Sequence, residues 1–322
     1  MSRVLVTGGA GAIGAAVVRR LLADPEYEVR VADVQPVPQW MREGCEVHVA
    51  DLREPGQALA ASTGCQTVVH LAGVTGGHET VRAQPYTLLD AGVALDGALV
   101  RAAVELQIER LVYVSCGAVF ERAELFPTPE EHLLDCAMPR SALGRSKLYG
   151  ELLCRSAYEE HGLAFTICRP CDVYGRGRLA ASEPGAARLV DDLIDAVVSG
   201  RRPLPLRDWG ERTLAPTHVA DVADGIVAAM SSTAGVNEDF NICLAQELTI
   251  EQIARLAWQA IGDDPDEHEL EQLRSADGQK RRCWPSAEKA QRLLGWEAAI
   301  EPAEGIASTV AWLRGLRVGG GL

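Results

Sequence analysis

Three evenly spaced glycines, Gly8, Gly11 and Gly14, sit in the run Thr7-Gly8-Gly9-Ala10-Gly11-Ala12-Ile13-Gly14, directly after the apolar residues Val4-Leu5-Val6. Glycines at this spacing between a strand and a helix can hold a pyrophosphate. Gly8 would allow the tight turn, Gly11 the close approach of backbone to phosphate, and Gly14 the packing of helix on strand. The first helical N–H groups, at Ala12 and Ile13, would face the anionic oxygens. A second apolar run, Tyr27-Glu28-Val29-Arg30-Val31-Ala32-Asp33, ends in an acid. It lies about 20 residues past the glycines, where a carboxylate takes an adenosine ribose 2′-hydroxyl. A 2′-phosphate would be repelled there, so Asp33 favours NAD over NADP.

These residues must be positioned by alternating elements. Cys45-Glu46-Val47-His48-Val49-Ala50-Asp51-Leu52 reads as a third strand, and Asp51 with Leu52 either lies along the adenine edge or caps the next helix. Thr67-Val68-Val69-His70-Leu71-Ala72-Gly73 is a fourth strand, and Leu71, Ala72 and Gly73 suit close passage of a cofactor. The loop Gly76-Gly77-His78-Glu79 follows it, and His78 and Glu79 fall on the substrate side or are plain solvated loop residues. A helix over residues 88–106 and a fifth strand over residues 110–115 complete a strand–helix alternation. Such alternation implies an α/β fold, a doubly wound parallel sheet of the Rossmann type.

The 322 residues suffice for two lobes, and the 47% hydrophobic, 24% charged composition is that of a globular protein. A net charge of −14 argues against a nucleic acid partner. No apolar run reaches membrane-spanning length and the first strand begins at once, so a cytoplasmic protein is expected. The nine cysteines are scattered and an odd number, which favours reduced thiols. Cys168 and Cys171 have redox or metal spacing, but no helix start follows them and no second close Cys/His pair completes a zinc site, so no metal is expected.

Together with Tyr113-Val114-Ser115-Cys116-Gly117-Ala118-Val119-Phe120, Gly144-Arg145-Ser146-Lys147, Arg169-Pro170-Cys171-Asp172-Val173-Tyr174-Gly175, His218-Val219-Ala220-Asp221, Phe240-Asn241-Ile242 and Leu293-Leu294-Gly295-Trp296, these motifs carry a resemblance across the whole chain. The sequence resembles the extended short-chain dehydrogenase/reductases, the NAD-dependent epimerase/dehydratase group that acts mostly on nucleotide sugars. The resemblance implies NAD as cofactor, a nucleotide-sugar substrate, and a homodimer built on the helices near residues 88–106 and 143–160. The expected lobes are residues 1–170 with 212–243 for NAD, and residues 171–211 with 244–322 for substrate.

The sequence departs from that pattern where the chemistry would be. The family's acid/base Tyr, four residues before the motif Lys, is Leu143, and its Ser or Thr, three residues before Val119, is Cys116. The Asn before Val-Tyr-Gly is Asp172, and the Asn of an Asn-x-x-Gly helix is Ala94. Leu143 can neither give nor take a proton, while Lys147 can still hold the nicotinamide ribose. Tyr149 lies two residues past Lys147 and points away on a helix. Cys116, with a thiol pKa of roughly 8.5 that a nearby Lys147 would lower, is a substitute acid/base or a residue that only fills the serine's space. Asp172, His78 and Glu79 are further candidates.

In the second lobe, Arg176, Arg178, Arg201 and Arg202 could clamp a diphosphate or stand solvated in loops. The resemblance places Arg207, Arg212, Arg281 and Arg282 in stretches that contact the substrate's nucleotide, although the Arg expected four residues before His218 is Leu214. Arg178, Arg212 and Arg281 are the expected substrate arginines. Helices are expected over residues 189–198, 219–230, 249–261 and 285–294. Three functions fit these residues: an NAD-dependent epimerase or dehydratase with an atypical acid/base, a degenerate NAD-binding partner subunit, and a non-redox isomerase or cyclase using Cys116 or Asp172.

Overall fold

The computed structural model describes residues 1–74, 78–177, 189–207, 212–273 and 282–318. The alternation runs β1 (Ser2–Thr7), α1 (Ala12–Leu22), β2 (Tyr27–Asp33), α2 (Gln39–Gly44), β3 (Glu46–Val49), α3 (Pro55–Ser62), β4 (Thr67–His70), α4 (His78–Ala83), α5 (Pro85–Glu105), β5 (Arg110–Val114), α6 (Ala142–His161) and β6 (Phe165–Pro170). Then come β7 (Val173–Tyr174), α7 (Leu189–Val198), β8 (Leu204–Arg207), β9 (Thr213–Leu214), β10 (Thr217–His218), α8 (Val219–Ser231) and β11 (Glu238–Ile242). The chain closes with β12 (Leu248–Thr249), α9 (Ile250–Ile261), β13 (Leu270–Leu273), α10 (Glu288–Leu294) and α11 (Pro302–Val318).

Seven strands form the central sheet in the order β11-β6-β5-β4-β1-β2-β3. Every ladder in it is parallel. The order reverses between β1 and β4, which opens a crevice at the strands' carboxyl ends. Strands covered on both faces are largely apolar, and β6 is buried at all six positions, its polar Thr166 and Arg169 being hydrogen-bonded. One face packs against Val17, Val18 and Leu21 of α1 and Val222 and Ile226 of α8. The other packs against Ala58 of α3, Leu95 and Leu99 of α5, and Cys154 of α6. Each fully buried Leu or Ile stabilises the fold by about 1.5–3 kcal/mol before entropy.

The second lobe has its own apolar centre in Leu193 and Ile194 of α7, Ile253 and Trp258 of α9, and Ile306 and Leu313 of α11. Ala290 and Trp296 instead lie in the core under the sheet, so α10 and the turn after it pack on the nucleotide lobe. The expected boundary had put that segment in the second lobe. α5 begins at Pro85 rather than residue 88, because proline is suited to the first helical turn. α10 begins at Glu288, not residue 285, since Pro285 and Ser286 are bridged and hydrogen-bonded to Thr128. α9 starts after Thr249, which forms a capping box with Gln252. No described helix is long and apolar enough to cross a membrane.

Candidate active site

The glycine turn is built as a cradle. Gly8 has φ +70°, and a Cβ there would come within 2.7 Å of the Ala72 nitrogen. A Cβ on Gly14 would collide with the Gly8 carbonyl oxygen and lie 2.8 Å from the Gly9 Cα. Gly11 is the N-cap of α1 and has no side chain to cap it, so the Ala12, Ile13 and Gly14 end of the helix faces the crevice without a capping side chain. Asp33 closes the turn, accepting the Ala10 N–H at 2.9 Å on one oxygen and the Gln35 N–H at 2.9 Å on the other. The uncapped helix end, the small-residue cradle and this carboxylate fit a dinucleotide.

Asp51 lies just past β3, paired with Arg53 at 2.6 Å, and that bond holds its carboxyl below the usual range. It is not a helix cap, since Glu54 precedes the first residue of α3. Leu52 is core. Leu71 and Ala72 are half-buried beside the turn, whereas Gly73 is exposed with a Cβ position 3.7 Å from the Lys147 Nζ.

α6 delivers Lys147. Ser141 caps its start by accepting the Gly144 N–H at 3.1 Å, and Gly162, at φ +72°, ends it in the left-handed conformation. The buried Arg169 of β6 fixes the helix through two bonds to Glu151, at 2.8 and 2.6 Å, and bonds Asp239 of β11 at 2.8 Å. Burial opposes the Asp239 charge, but Arg169, Lys289 and Arg155 hold the carboxyl far below its ordinary value. Lys147, itself buried, donates to the Val114 carbonyl at 2.9 Å. Leu143 lies one turn earlier and half-buried, and Tyr149 is 37% exposed on another face.

The opposite wall of the crevice is a corner of thiols and one carboxylate. Cys116 ends the extended backbone after β5 and precedes a short 3-10 turn over Gly117–Phe120. Gly117 packs on Cys171, whose Sγ would be 2.6 Å from a Cβ at Gly117. Burial pushes the Cys116 thiol up to about 11, with Lys147 pulling only partly the other way. The lysine lowers the thiol as expected, but burial outweighs it, and the thiol is neutral near pH 7. Asp172 has φ +43°, a strained backbone for a residue with a side chain. One of its oxygens accepts the Ala215 N–H at 3.0 Å. Burial raises its carboxyl above the ordinary value, against Arg212 and a bond from the Cys283 thiol. Cys283 was not among the residues singled out in the sequence, because nothing local marks a cysteine so far from residue 172. Cys168 is separate, buried in the sheet core, with its thiol pushed up to about 12. Among the described residues no group of side chains could hold a metal ion.

Two candidate arginines of the second lobe are engaged by carboxylates. Arg202 pairs with Asp263 at 2.8 Å, and Arg282 with Glu247 at 2.6 Å while stacking over Phe126 and Trp284. Arg212 stays beside Asp172 with its buried Nε unpartnered. Leu214, at the expected Arg position, is fully buried. Arg178 and Arg281 lie outside the described residues. His78 and Glu79 open the short helix α4 rather than sitting in a glycine loop.

A family model described as "NAD dependent epimerase/dehydratase family" matches residues 4–243. The chain is 28% identical to UDP-glucose 4-epimerase of Mycolicibacterium smegmatis, over 97% of this chain and 98% of that one. It is 28% identical to dTDP-glucose 4,6-dehydratase of Streptomyces griseus, over 97% and 94%. Among solved structures it superposes on Thermus thermophilus UDP-glucose 4-epimerase in complex with NAD, at TM-score 0.82 and 26% identity over 97% and 99% of the two chains.

Proposed function

Because the chain belongs to the NAD dependent epimerase/dehydratase family, with NAD as its cofactor, we propose that it transforms a nucleotide-activated sugar using Asp172 in place of the missing tyrosine. The observation that carries this reading is the half-buried Asp172 carboxylate, held on a strained backbone two residues past β6 and raised by desolvation against the pull of Arg212. Strained, perturbed titratable groups gather at reacting centres. Bound NAD supplies a hydride acceptor for a sugar carbinol. Asp172 takes and returns the hydroxyl proton, Cys116 donates a weak neutral hydrogen bond where the serine would stand, and Lys147 holds the nicotinamide ribose. The Arg212 fork binds the diphosphate. The relatives' named substrates make UDP- and dTDP-linked hexoses the first to test.

The second reading, an NAD-holding partner subunit without turnover, is favoured by Leu143 and by the neutral Cys116 thiol. A non-redox isomerase or cyclase would use the same Asp172. All nine cysteines are free, which suits a reducing cytoplasm. Tyr86 of α5 and Tyr149 and Leu152 of α6 are exposed apolar side chains on the helices that would pair two copies as a homodimer.

NAD titration followed by incubation with UDP- and dTDP-hexoses tests the proposal. Asp172→Asn is expected to lower turnover by about 10²–10⁴-fold with NAD affinity unchanged. Since burial lets Asp172 keep its proton to higher pH than an ordinary Asp, a rate that needs it as base rises with pH through that raised value. The variant should lack that rising limb. Full turnover in Asp172→Asn would remove it from the chemistry, NAD binding without turnover on any sugar would leave the partner-subunit reading, and no NAD binding would remove both.

A further inference from the structure

Three polar side chains lie in one row of the sheet beneath the crevice. The parallel registers set Thr7 beside His70 and His70 beside Tyr113, so all three share a face. α5 and α6 cover that face, and Asp96 descends onto it from α5. All four residues are buried. The Tyr113 hydroxyl donates to Asp96 Oδ2 at 2.8 Å. His70 Nε2 lies 3.0 Å from Asp96 Oδ1, and its Nδ1 lies 2.7 Å from the Thr7 hydroxyl. The Thr7 oxygen accepts the Ala72 N–H at 3.1 Å. One proton arrangement satisfies the chain: Thr7 donates to Nδ1, and Nε2–H donates to the carboxylate. Burial lowers the His70 pKa, which keeps the ring neutral. Burial opposes the Asp96 charge, yet His70, Lys147 and Tyr113 together hold the carboxyl below its ordinary value.

One buried negative charge therefore sits under the crevice, fully hydrogen-bonded, and Lys147 is a cation facing it. The link between them is Tyr113. The Lys147 Nζ lies 4.9 Å from the Tyr113 ring centroid, and the Tyr113 hydroxyl also reaches the Lys147 carbonyl at 3.5 Å. Gly150, on the same face of α6 as Lys147, makes room: a Cβ there would collide with the Tyr113 hydroxyl and lie 2.7 Å from Asp96 Oδ2. The other groups near Lys147 are Cys116 at the crevice, Cys154 on α6, and Glu151, which is engaged by Arg169.

We propose that Asp96 is a positioning residue for the NAD site: anchored to the sheet through His70 and Thr7, it fixes the Tyr113 ring on which Lys147 is seated. The proposal rests on the reading that Lys147 holds the nicotinamide ribose. A seat of this kind acts on one half of the cofactor only. The glycine turn and Asp33 would hold the adenosine half without it.

The test compares dissociation constants for NAD and for AMP, which occupies the adenosine half alone. In Asp96→Asn, NAD is expected to bind about tenfold more weakly and AMP within about twofold of wild type. Tyr113→Phe keeps the ring but cuts its tie to Asp96, and about threefold selective loss of NAD is expected. If Asp96→Asn does not fold, Tyr113→Phe decides by the same NAD-to-AMP ratio. Equal weakening of both ligands would mean a general structural role, and unchanged NAD affinity would mean none; either overturns the proposal. Lys147→Ala with unchanged NAD affinity would instead remove the ribose reading beneath it.

Discussion

The two walls of the crevice are built on opposite principles. On the nucleotide side, each important group has a second contact that fixes it: Asp33 takes two backbone N–H groups, Lys147 takes a carbonyl and an aromatic seat, and Gly8 is wedged against Ala72. On the reacting side, the tyrosine is a leucine, the serine a neutral thiol, and Asp172 sits on a strained backbone beside an arginine with an unpartnered nitrogen. In the proposed reading, the residues that would hold the cofactor are kept and those that would use it in the ordinary way are replaced.

The sharpest way to break this contrast is to give the reacting side back its proton donor. Leu143 lies half-buried on α6, one turn before Lys147. Leu143→Tyr is expected to raise turnover on a nucleotide sugar by about 10²–10⁴-fold if the site is a dehydrogenase site missing only its acid/base. Loss of an existing activity would show that the leucine belongs to a different mechanism, and the contrast would then be between two working walls.

The nucleotide wall is tested by crowding it. Gly14→Val would force a side chain against the Gly8 oxygen and the Gly9 Cα, deforming the turn. Overpacking of this kind costs about 1–3 kcal/mol of fold stability, and because the deformed turn no longer matches the pyrophosphate, NAD affinity is expected to fall by about 10²-fold while unfolding remains cooperative. An isothermal titration with unchanged affinity would show that the turn does not hold the pyrophosphate.

How much of this was legible differs between the walls for a physical reason. The glycine turn, Asp33, Gly73 and Lys147 are local patterns, because a strand, a turn and a helix start must be written consecutively, and the structure brings them to one crevice. Thr7, His70, Asp96 and Tyr113 are spread over more than a hundred residues and meet only through strand register and the packing of α5 on the sheet. Their signal was present as polar residues in otherwise apolar strands, but the partner on α5 could not be paired with them before the helix was placed. Cys283 beside Asp172 is of the same kind. The expected activation of Cys116 failed because burial outweighs the nearby lysine, and burial cannot be read from spacing.

The smallest expected effect separates the two roles left to Cys116. With its thiol pushed up to about 11, the residue carries its proton throughout the neutral range and can act there only as a weak donor. Cys116→Ser offers a better donor in the same place and is expected to raise turnover by about threefold, while Cys116→Ala lowers it by a similar factor, since a neutral hydrogen bond contributes about 0.5–1.5 kcal/mol. Neither change should move the pH profile of turnover, because in this account the titrating group is Asp172. A thiol acting as acid/base predicts the reverse: Cys116→Ser would leave little activity and erase an alkaline limb of the profile. A profile measured on the wild type and both variants decides between them, and a shifted limb in Cys116→Ser would return the thiol to the chemistry and take the acid/base role from Asp172.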